Sequence, residues 1–260
     1  MQAYGGVSIV NALPSWYGST MAVNLKVEVK VREGKRKTED PLIAEILEHF
    51  SRNYGVPQLE VEVNSEIPVG SGLKSSSAVS TALIGEIAHR FSLNVDVPKL
   101  SAILSLKAGV SYTGALDDAV AAWFGGISFT YNKDFKVIKR ERALRDVSVI
   151  LLARGGKGRI DMEKLRSFKL LFHEIFREAL QGRIIEAMKL NGIAIAEILG
   201  FDTEPIEGTL TRGAMASGIS GNGPSYFAVT REGEEGPIVD FLSRYGEVKV
   251  ARGVDVEGRD

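Results

Sequence analysis

The sequence contains no cysteine, which excludes disulfide bridges, thiolate metal sites and cysteine nucleophiles. It has no apolar run near the roughly 18 residues that a membrane-spanning helix needs. Neither sign of charge is in excess, since 32 Lys and Arg residues stand against 33 Asp and Glu residues, and this balance argues against a nucleic-acid-binding protein. The first residues lack a basic segment followed by a secretory apolar segment. We therefore expect a cytoplasmic protein with neither nucleic-acid nor membrane partners.

A further absence concerns nucleotide-binding motifs. A Walker-type phosphate loop needs Gly-Lys-Ser/Thr in uninterrupted sequence. Leu73 separates Gly72 from Lys74, and Gly158 follows Lys157, so neither of these glycine-rich runs fits the pattern. A nucleotide bound by this chain must therefore be held by another kind of loop.

A loop of small residues at 68–78 is the most distinctive segment that is present, and a helical pattern of apolar residues follows it directly. The N–H groups at a helix N-terminus lack intrahelical partners and, together with the helix dipole, favour anions. Small residues let the backbone close around a phosphate, and hydroxyl groups add donors or metal ligands. We predict that this segment binds phosphate; the alternative is a turn with a helix cap. Its residues are Pro68, Val69, Gly70, Ser71, Gly72, Leu73, Lys74, Ser75, Ser76, Ser77 and Ala78.

Apolar periodicity predicts both strands and helices in the first part of the chain. Alternating apolar and polar residues indicate strands, and apolar residues three or four positions apart indicate helices. A charged stretch without a clear period follows them at 132–146. The predicted elements are strands at 23–31, 59–63 and 127–131 and helices at 38–53, 76–91, 97–109 and 119–124.

The second part of the chain has the same mixed character, and we place a domain boundary near Arg145. This gives domains of residues 1–145 and 146–260 and an α+β class, with a layer of helices on a sheet in each half. The predicted elements are strands at 147–153, 226–230 and 247–250 and helices at 161–180, 183–199, 205–215 and 237–245.

The serine-rich loop resembles the second motif of the GHMP kinases, which include galactokinase, homoserine kinase and mevalonate kinase. That motif reads Pro-x-x-x-Gly-Leu-Gly/Ser-Ser-Ser-Ala-Ala. Lys74 stands where the motif usually has glycine, and Ser77 stands at its first alanine. The matching residues are Pro68, Gly72, Leu73, Ser75, Ser76 and Ala78.

Three other segments carry the same resemblance, in family order along the chain. Residues 217–225 resemble the C-terminal glycine-rich motif, and residues 113–120 resemble the segment with the catalytic aspartate. The lysine variant of the serine loop and the opening residues 5–14 are similar to the archaeal-type shikimate kinase branch of the family. Together the matches extend over nearly the whole chain.

This resemblance implies the two-domain GHMP kinase fold, in which an S5-like N-terminal domain and a ferredoxin-like C-terminal domain enclose the site. It implies an ATP-dependent small-molecule kinase that uses Mg²⁺. The branch implies transfer of the γ-phosphate to the 3-hydroxyl of shikimate, giving 3-phosphoshikimate for aromatic amino acid biosynthesis. The alternatives are another GHMP kinase, such as a homoserine kinase, and a catalytically silent ligand sensor of the same fold. The sequence does not indicate an oligomeric state.

The resemblance places two functions on particular residues. Ser76 matches the serine that approaches Mg²⁺ and the phosphates, and Asp117 matches the catalytic aspartate that accepts or orients the proton of the acceptor hydroxyl. An N-cap of the following helix is the alternative role for Asp117. Asp118, its neighbour, is a candidate metal ligand or structural partner.

One departure from the family concerns the metal. Several members carry a glutamate that binds Mg²⁺ on the helix ahead of the aspartate, whereas residues 105–109 contain no carboxylate. This leaves two arrangements. Either Asp118 holds the metal, or the metal relies on the phosphates, water and Ser76, because Mg²⁺ commonly keeps several waters.

Candidate substrate ligands come from three segments. Arg154 lies with Lys157 and Arg159 in a glycine-rich loop, and a carboxylate substrate calls for Arg or Lys; the alternative is that these are exposed, solubilising charges. Asn11 near the N-terminus is a further candidate. The glycine loop at 218–223 contributes Gly221 and Asn222, with a tight turn as its alternative role.

Overall fold

The computed structural model describes residues 1–35, 38–156 and 160–259. Within these residues the chain forms one five-stranded and one four-stranded antiparallel sheet, with helices packed on them, and this mixture confirms the predicted α+β class. No helix in the described part of the chain is long and apolar enough to cross a membrane.

The first sheet is built around one long strand, β2. Its beginning pairs with β4, its middle with β1 and its end with β3, so that β2 joins the whole sheet. The elements of this part are β1 (Gln2–Val10), α1 (Ala12–Ser15), β2 (Tyr17–Glu33), α2 (Pro41–Tyr54), β3 (Leu59–Ser65), α3 (Ser75–Arg90), α4 (Val97–Lys107), α5 (Leu116–Phe124), β4 (Ile127–Tyr131) and β5 (Lys136–Glu141).

The second sheet has the strand order β7-β8-β6-β9. In chain order this is second, third, first, fourth, which is the ferredoxin-like arrangement expected from the resemblance. The elements are β6 (Val147–Leu152), α6 (Met162–Ser167), α7 (Lys169–Leu180), α8 (Ile184–Leu199), α9 (Glu204–Leu210), β7 (Ala216–Ile219), β8 (Tyr226–Arg231), α10 (Gly236–Leu242) and β9 (Val248–Ala251).

Strand β2 buries one face and exposes the other, as its alternation predicts. Val23, Val27 and Val29 are fully buried, whereas Asn24 and Lys26 are exposed. Helices α3 and α5 cover the buried face, and their small residues let them approach the strands closely. This packing brings the N-termini of both helices to the same edge of the sheet.

The predicted helix at 161–180 is wrong in one respect, because two helices occupy it. Phe168 lies between α6 and α7, and its N–H bonds to the carbonyl of Leu165 rather than continuing the α-helical ladder. Both helices contact α1, but α7 packs mainly on α8 and also contacts β1 and β2. The chain changes from one set of contacts to the other at Phe168.

Three shorter corrections concern segments with weak patterns. The charged stretch at 132–146 contains a short 3-10 helix, Asn132–Asp134, and the edge strand β5, whose largely exposed residues show no buried face. The helix predicted at 205–215 ends at Leu210. The first residues of the predicted glycine loop belong to strand β7. There Gly218 packs so closely against Gly192 of α8 that a Cβ on Gly218 would lie 2.2 Å from the Cα of Gly192.

The change from the first sheet to the second falls between β5 and β6, and the predicted division near Arg145 lies in that interval. As a domain boundary it stays a prediction. The last residues return to the first sheet: Val254 N–H bonds to the carbonyl of Ala22, and Gly126 N–H bonds to the carbonyl of Val254. The C-terminal segment therefore ties the two sheets together on the side of β2.

Candidate active site

A cleft with a volume of about 280 Å³ lies where the two sheets meet. Most of its wall comes from four stretches of the chain: the end of β1 with α1, the serine-rich loop, the loop between α4 and α5 with the first turn of α5, and the turn after β7. Ser105 of α4 and Ile160 complete the lining. Both α3 and α5 begin at this cleft, so that two helix N-termini face one space.

The serine-rich loop lines the cleft as its sequence predicts. Seven of its eleven residues form the wall: Gly70, Ser71, Gly72, Lys74, Ser75, Ser76 and Ser77. The other four have different roles: Leu73 and Ala78 are fully buried in the core, Val69 is exposed, and the Pro68 carbonyl accepts from Ser71 Oγ at 2.7 Å. No side chain caps α3, whereas α2 and α4 are capped by aspartates. The first N–H groups of α3 are therefore oriented toward the cleft without a capping side chain.

Asp117 lies in the first turn of α5, with 4% of its surface exposed. Ala115 is the N-cap of this helix, so the predicted alternative of Asp117 as a cap is not what the structure has. Asn132 Nδ2 donates to Asp117 Oδ1 at 2.8 Å, and Ser128 Oγ donates to the Asp117 carbonyl at 2.7 Å. The carboxyl group is thus held in one orientation at the cleft wall.

Burial raises the pKa of Asp117 from its ordinary 3.8 to about 7, and the adjacent Asp118 acts in the same direction. Lys74 and the hydrogen bond from Asn132 act in the opposite direction. A carboxyl group with a pKa near neutrality is suited to exchange a proton during a reaction, because general bases work best with a pKa near the working pH.

Gly18 of β2 makes room for the Asp117 carboxyl group. A Cβ at this position would lie 2.5 Å from Asp117 Cγ, which is far inside contact distance. Glycine within a strand often marks a close approach of another group to the backbone. Here the group that approaches is the predicted catalytic side chain.

Asp118 forms an ion pair with a lysine and accepts a hydrogen bond from a threonine hydroxyl group. Lys74 Nζ lies 3.0 Å from Asp118 Oδ1, and Thr20 Oγ1 donates to the same oxygen at 2.6 Å. Thr20 Oγ1 also lies 3.3 Å from Asp117 Oδ2. One threonine of β2 therefore contacts both carboxylates of α5.

The serine-rich loop and the turn after β7 are joined by backbone and hydroxyl hydrogen bonds. Ser220 Oγ donates to the Gly72 carbonyl at 2.9 Å, and Ser225 N–H donates to the Ser71 carbonyl at 3.2 Å. A Cβ on Gly72, whose φ is +80°, would lie 2.3 Å from the Ser220 carbonyl oxygen. This contact requires glycine at position 72, and the second motif of the GHMP kinases also has glycine at this position.

The predicted substrate residues divide into two groups. Asn11, Gly221 and Asn222 lie together at the cleft, where Asn11 Nδ2 donates to the Gly221 carbonyl at 3.1 Å and to Asn222 Oδ1 at 2.8 Å. Arg154 lies away from the cleft wall, with its guanidinium 5.4 Å from the ring of Tyr226 and 3.5 Å from the Tyr245 carbonyl.

The structure therefore brings the first group together at the cleft and does not bring Arg154 there, and the substrate roles of all four residues stay predictions. The other two cationic candidates of that glycine-rich loop, Lys157 and Arg159, lie outside the described residues.

Residues that hydrogen-bond to Lys74, Asp117 or Asp118 were among those not predicted, and they lie in strands or at a strand end: Ser8, Thr20, Ser128 and Asn132. A hydroxyl or amide group at a buried strand position was the available signal, because buried polar groups are normally hydrogen-bonded. Without knowledge of which strands meet α5, that signal does not identify a partner.

The donors at the cleft fit Mg²⁺ in chemical type, since they are carboxylate and hydroxyl oxygens. Asp118 and Ser76 both line the cleft, as predicted. Within the described residues, no group of three or more His, Asp or Glu side chains forms a metal cluster. The protein alone does not supply a full coordination shell, so a metal here needs oxygens from phosphate and water.

The sequence matches characterised proteins over most of its length. Residues 41–126 match the model of the GHMP kinases N terminal domain. A shikimate kinase from Pyrococcus furiosus is 34% identical, over 93% of this chain and 94% of the relative. Shikimate kinases from Methanothermobacter thermautotrophicus (33% identical, 98% of this chain and 94% of the relative) and Archaeoglobus fulgidus (34%, 100% and 94%) match similarly.

Solved structures share the fold at much lower sequence identity. The mevalonate kinase of Methanococcus jannaschii has a TM-score of 0.76 at 13% identity, covering 98% of each chain. A homoserine kinase from Cytophaga hutchinsonii has a TM-score of 0.68 at 16% identity, covering 98% of this chain and 95% of the other. The predicted GHMP kinase fold is thereby confirmed.

Proposed function

The chain belongs to the GHMP kinase family, in the branch of the archaeal shikimate kinases, and we propose that it transfers the γ-phosphate of ATP to the 3-hydroxyl of shikimate. The product is 3-phosphoshikimate, an intermediate of aromatic amino acid biosynthesis. Identity of 33–34% over at least 93% of the chain supports both the reaction and the acceptor. We place the enzyme in the cytoplasm, as the sequence predicts.

The proposal rests on one observation: an uncapped helix N-terminus and a buried carboxyl group line the same cleft. The α3 N-terminus with its serines offers N–H and O–H donors to phosphate oxygens. Asp117 lies at the start of α5 and lines the same cleft. A phosphoryl donor and an alcohol acceptor bound between these two elements meet the requirements of phosphoryl transfer.

In this mechanism the serine-rich loop holds the phosphates while Asp117 faces the acceptor hydroxyl. The hydroxyl oxygen forms a bond to the γ-phosphorus as the bond to the bridging oxygen of ADP breaks. The hydroxyl proton passes to Asp117, and Asn132 keeps the accepting carboxyl group in place through its hydrogen bond to Oδ1.

Mg²⁺, when bound with ATP, neutralises charge on the phosphates. Ser76 and Asp118 are its candidate protein ligands. Since Asp118 Oδ1 is already bonded to Lys74 and Thr20, the geometry favours the second of the two predicted arrangements, in which the metal relies on Ser76, phosphates and water.

For the acceptor, the amide groups of Asn11 and Asn222 and the backbone at Gly221 line the wall beside the phosphate loop. The N–H groups of the Asn222 amide are suited to hydrogen-bond the hydroxyl groups of shikimate, and Asn11 orients that amide by donating to Asn222 Oδ1. Arg154 stays a prediction as a carboxylate ligand, and from its position in this structure it would have to turn toward the cleft.

The test is ADP release from Mg-ATP by the purified protein, with shikimate, homoserine and mevalonate offered separately. We expect release with shikimate alone, with formation of 3-phosphoshikimate shown by mass spectrometry. Release with homoserine or mevalonate instead would keep the kinase and discard the acceptor. ATP binding without release for any acceptor would favour the catalytically silent sensor.

A further inference from the structure

Lys74 occupies an unfavourable backbone position. Its φ of 70° and ψ of 26° lie in the left-handed region, which costs a residue other than glycine roughly 1–2 kcal/mol. The family motif usually has glycine there, a residue that adopts this conformation freely. A lysine in this place therefore points to a contribution from its side chain that outweighs the backbone strain.

The Lys74 side chain is directed inward, away from solvent, and is only 9% exposed. Its ammonium group donates to Ser8 Oγ at 2.7 Å and lies 3.0 Å from Asp118 Oδ1. A lysine is rarely buried unless it is paired. Gly6 of β1 permits the approach, because a Cβ there would lie 3.3 Å from Lys74 Cγ and 2.7 Å from Thr20 Cγ2.

The partner of Lys74 stands beside the predicted base. Asp117 and Asp118 are consecutive, and Thr20 Oγ1 lies within 3.3 Å of an oxygen of each. Two like charges this close repel each other strongly in a poorly solvated site. The ammonium of Lys74 pairs directly with Asp118, and its charge also acts on Asp117.

Ser8 connects this ion pair to the turn after β7. Its Oγ accepts from Lys74 Nζ and also from Gly221 N–H, at 3.0 Å. The contacts thus run from Gly221 through Ser8 and Lys74 to Asp118. They join the turn after β7, which we propose binds the acceptor, to the first turn of α5.

We propose that Lys74 is a positioning residue for phosphoryl transfer, which neutralises Asp118 and holds the first turn of α5 so that Asp117 faces the acceptor hydroxyl. This inference rests on the proposed function and assigns Lys74 a role different from the phosphate contact expected of the serine-rich loop. The ammonium group stabilises the negative charge of the α5 carboxylates. From position 74 in the serine-rich loop, a lysine side chain is long enough to contact Asp118.

The proposal predicts a charge-dependent rescue. Lys74→Met removes the ammonium, so that Asp118 is left as an unpaired anion beside Asp117. We expect kcat to fall about 10- to 100-fold, the scale of a misplaced catalytic group, with little change in the KM for ATP. Adding Asp118→Asn removes the surplus charge, and its amide oxygen can still accept from Thr20. We expect the double variant to recover at least about threefold in kcat over Lys74→Met.

Two further variants separate charge from folding. Lys74→Gly removes the same charge but relieves the backbone strain, so we expect kcat to fall as in Lys74→Met, with a smaller loss of thermal stability than Lys74→Met shows. Lys99 is an exposed lysine on α4 that does not line the cleft, so Lys99→Met is the matched control and should retain the parent activity. Circular dichroism of each variant checks that it is folded.

Several outcomes would overturn the proposal. A large rise in the KM for ATP with kcat unchanged would make Lys74 a phosphate ligand. A double variant whose loss equals the product of the two single losses would mean that Lys74 does not act through Asp118. The activity of the parent enzyme separates the two hypotheses. If the parent enzyme does not phosphorylate shikimate, the proposed function is wrong. If it does, but the double variant shows no rescue, only the role proposed for Lys74 is wrong.

Discussion

Helices α3 and α5 both begin at the cleft, and both begin after a non-glycine residue in the left-handed region, Lys74 at φ 70° and Ala115 at φ 52°. Neither has a side-chain cap. They differ in the side chains of the first turn. Three serines occupy the first turn of α3, whereas Asp117 and Asp118 lie in the first turn of α5.

The comparison shows two uses of one physical property. A helix N-terminus stabilises negative charge because its N–H groups are unpaired and its dipole points there. At α3 this potential is left for an anion from outside, while at α5 the chain supplies its own anions. Substitutions at each end test whether the two helices have these separate roles, beginning with the largest expected effect.

Asp117→Asn tests the α5 end most directly. Because an amide cannot accept the hydroxyl proton, we expect kcat to fall at least about 100-fold while ATP still binds. Steady-state ADP release and nucleotide titration measure the two properties. Asp40→Asn is the matched control, since Asp40 caps α2 and asparagine caps as well as aspartate does. Near-normal turnover of Asp117→Asn would remove Asp117 from the chemistry.

Gly18→Ala moves the same carboxyl group without changing its chemistry. The new Cβ would lie 2.5 Å from Asp117 Cγ, so the side chain must shift, and we expect kcat to fall about tenfold or more with a smaller change in the KM for ATP. Gly236→Ala is the control, because a Cβ there has nothing within 4 Å. Unchanged kcat would show that Asp117 tolerates displacement, which contradicts its role as a positioned base.

Ser76→Ala tests the α3 end. Loss of a hydroxyl that contacts phosphate or its metal should raise the KM for Mg-ATP about tenfold, the scale of a hydrogen bond to a charged group. The KM for shikimate should change much less. Ser243→Ala, an exposed serine after α10, is the control. Equal effects on both substrates would mean that the two helix ends do not divide the substrates between them.

The smallest effect concerns stability without ligands. The pKa of Asp117 is raised to about 7, so between about pH 4 and pH 7 the folded protein keeps a proton that the unfolded chain releases. Stability from this group is therefore present below pH 4 and is lost as the pH rises to 7. In EDTA, Asp117→Asn should melt at least about 2 °C above the parent at pH 8, with the difference shrinking toward pH 5. A difference that does not depend on pH would contradict the buried ionisation.

Much of this site could be predicted because its residues are local in sequence. The serine-rich loop, the Asp117–Asp118 pair and the glycine turn at 221–223 are each short motifs whose backbone demands, such as φ +80° at Gly72, are met by particular residues. Local patterns of this kind need no knowledge of distant segments. The part of strand β2 between Val23 and Val31 was predicted for the same reason, since its alternation is unbroken there, whereas the beginning of the strand at 17–22 was not predicted.

Other parts could not be predicted because they depend on contacts between distant segments. Strand β1 was missed, and β5 was missed because an exposed edge strand has no buried face to produce alternation. The break at Phe168 coincides with a change of packing, from α6 on α1 to α7 mainly on α8. Gly218 was assigned to a loop, whereas its contact is with Gly192, 26 residues earlier in the chain.

The sequence by itself determined the family and the fold class and identified the serine-rich loop and Asp117 as candidates for the site, because motifs and periodicity are properties of neighbouring residues. Only the tertiary structure decided what surrounds Asp117 and where Lys74 points. Gly18, Thr20 and Asn132 come from strands far from Asp117 in sequence, and burial among them changes the chemistry of its carboxyl group. The electrostatic environment of a side chain depends on distance in space, and sequence order alone does not give that distance.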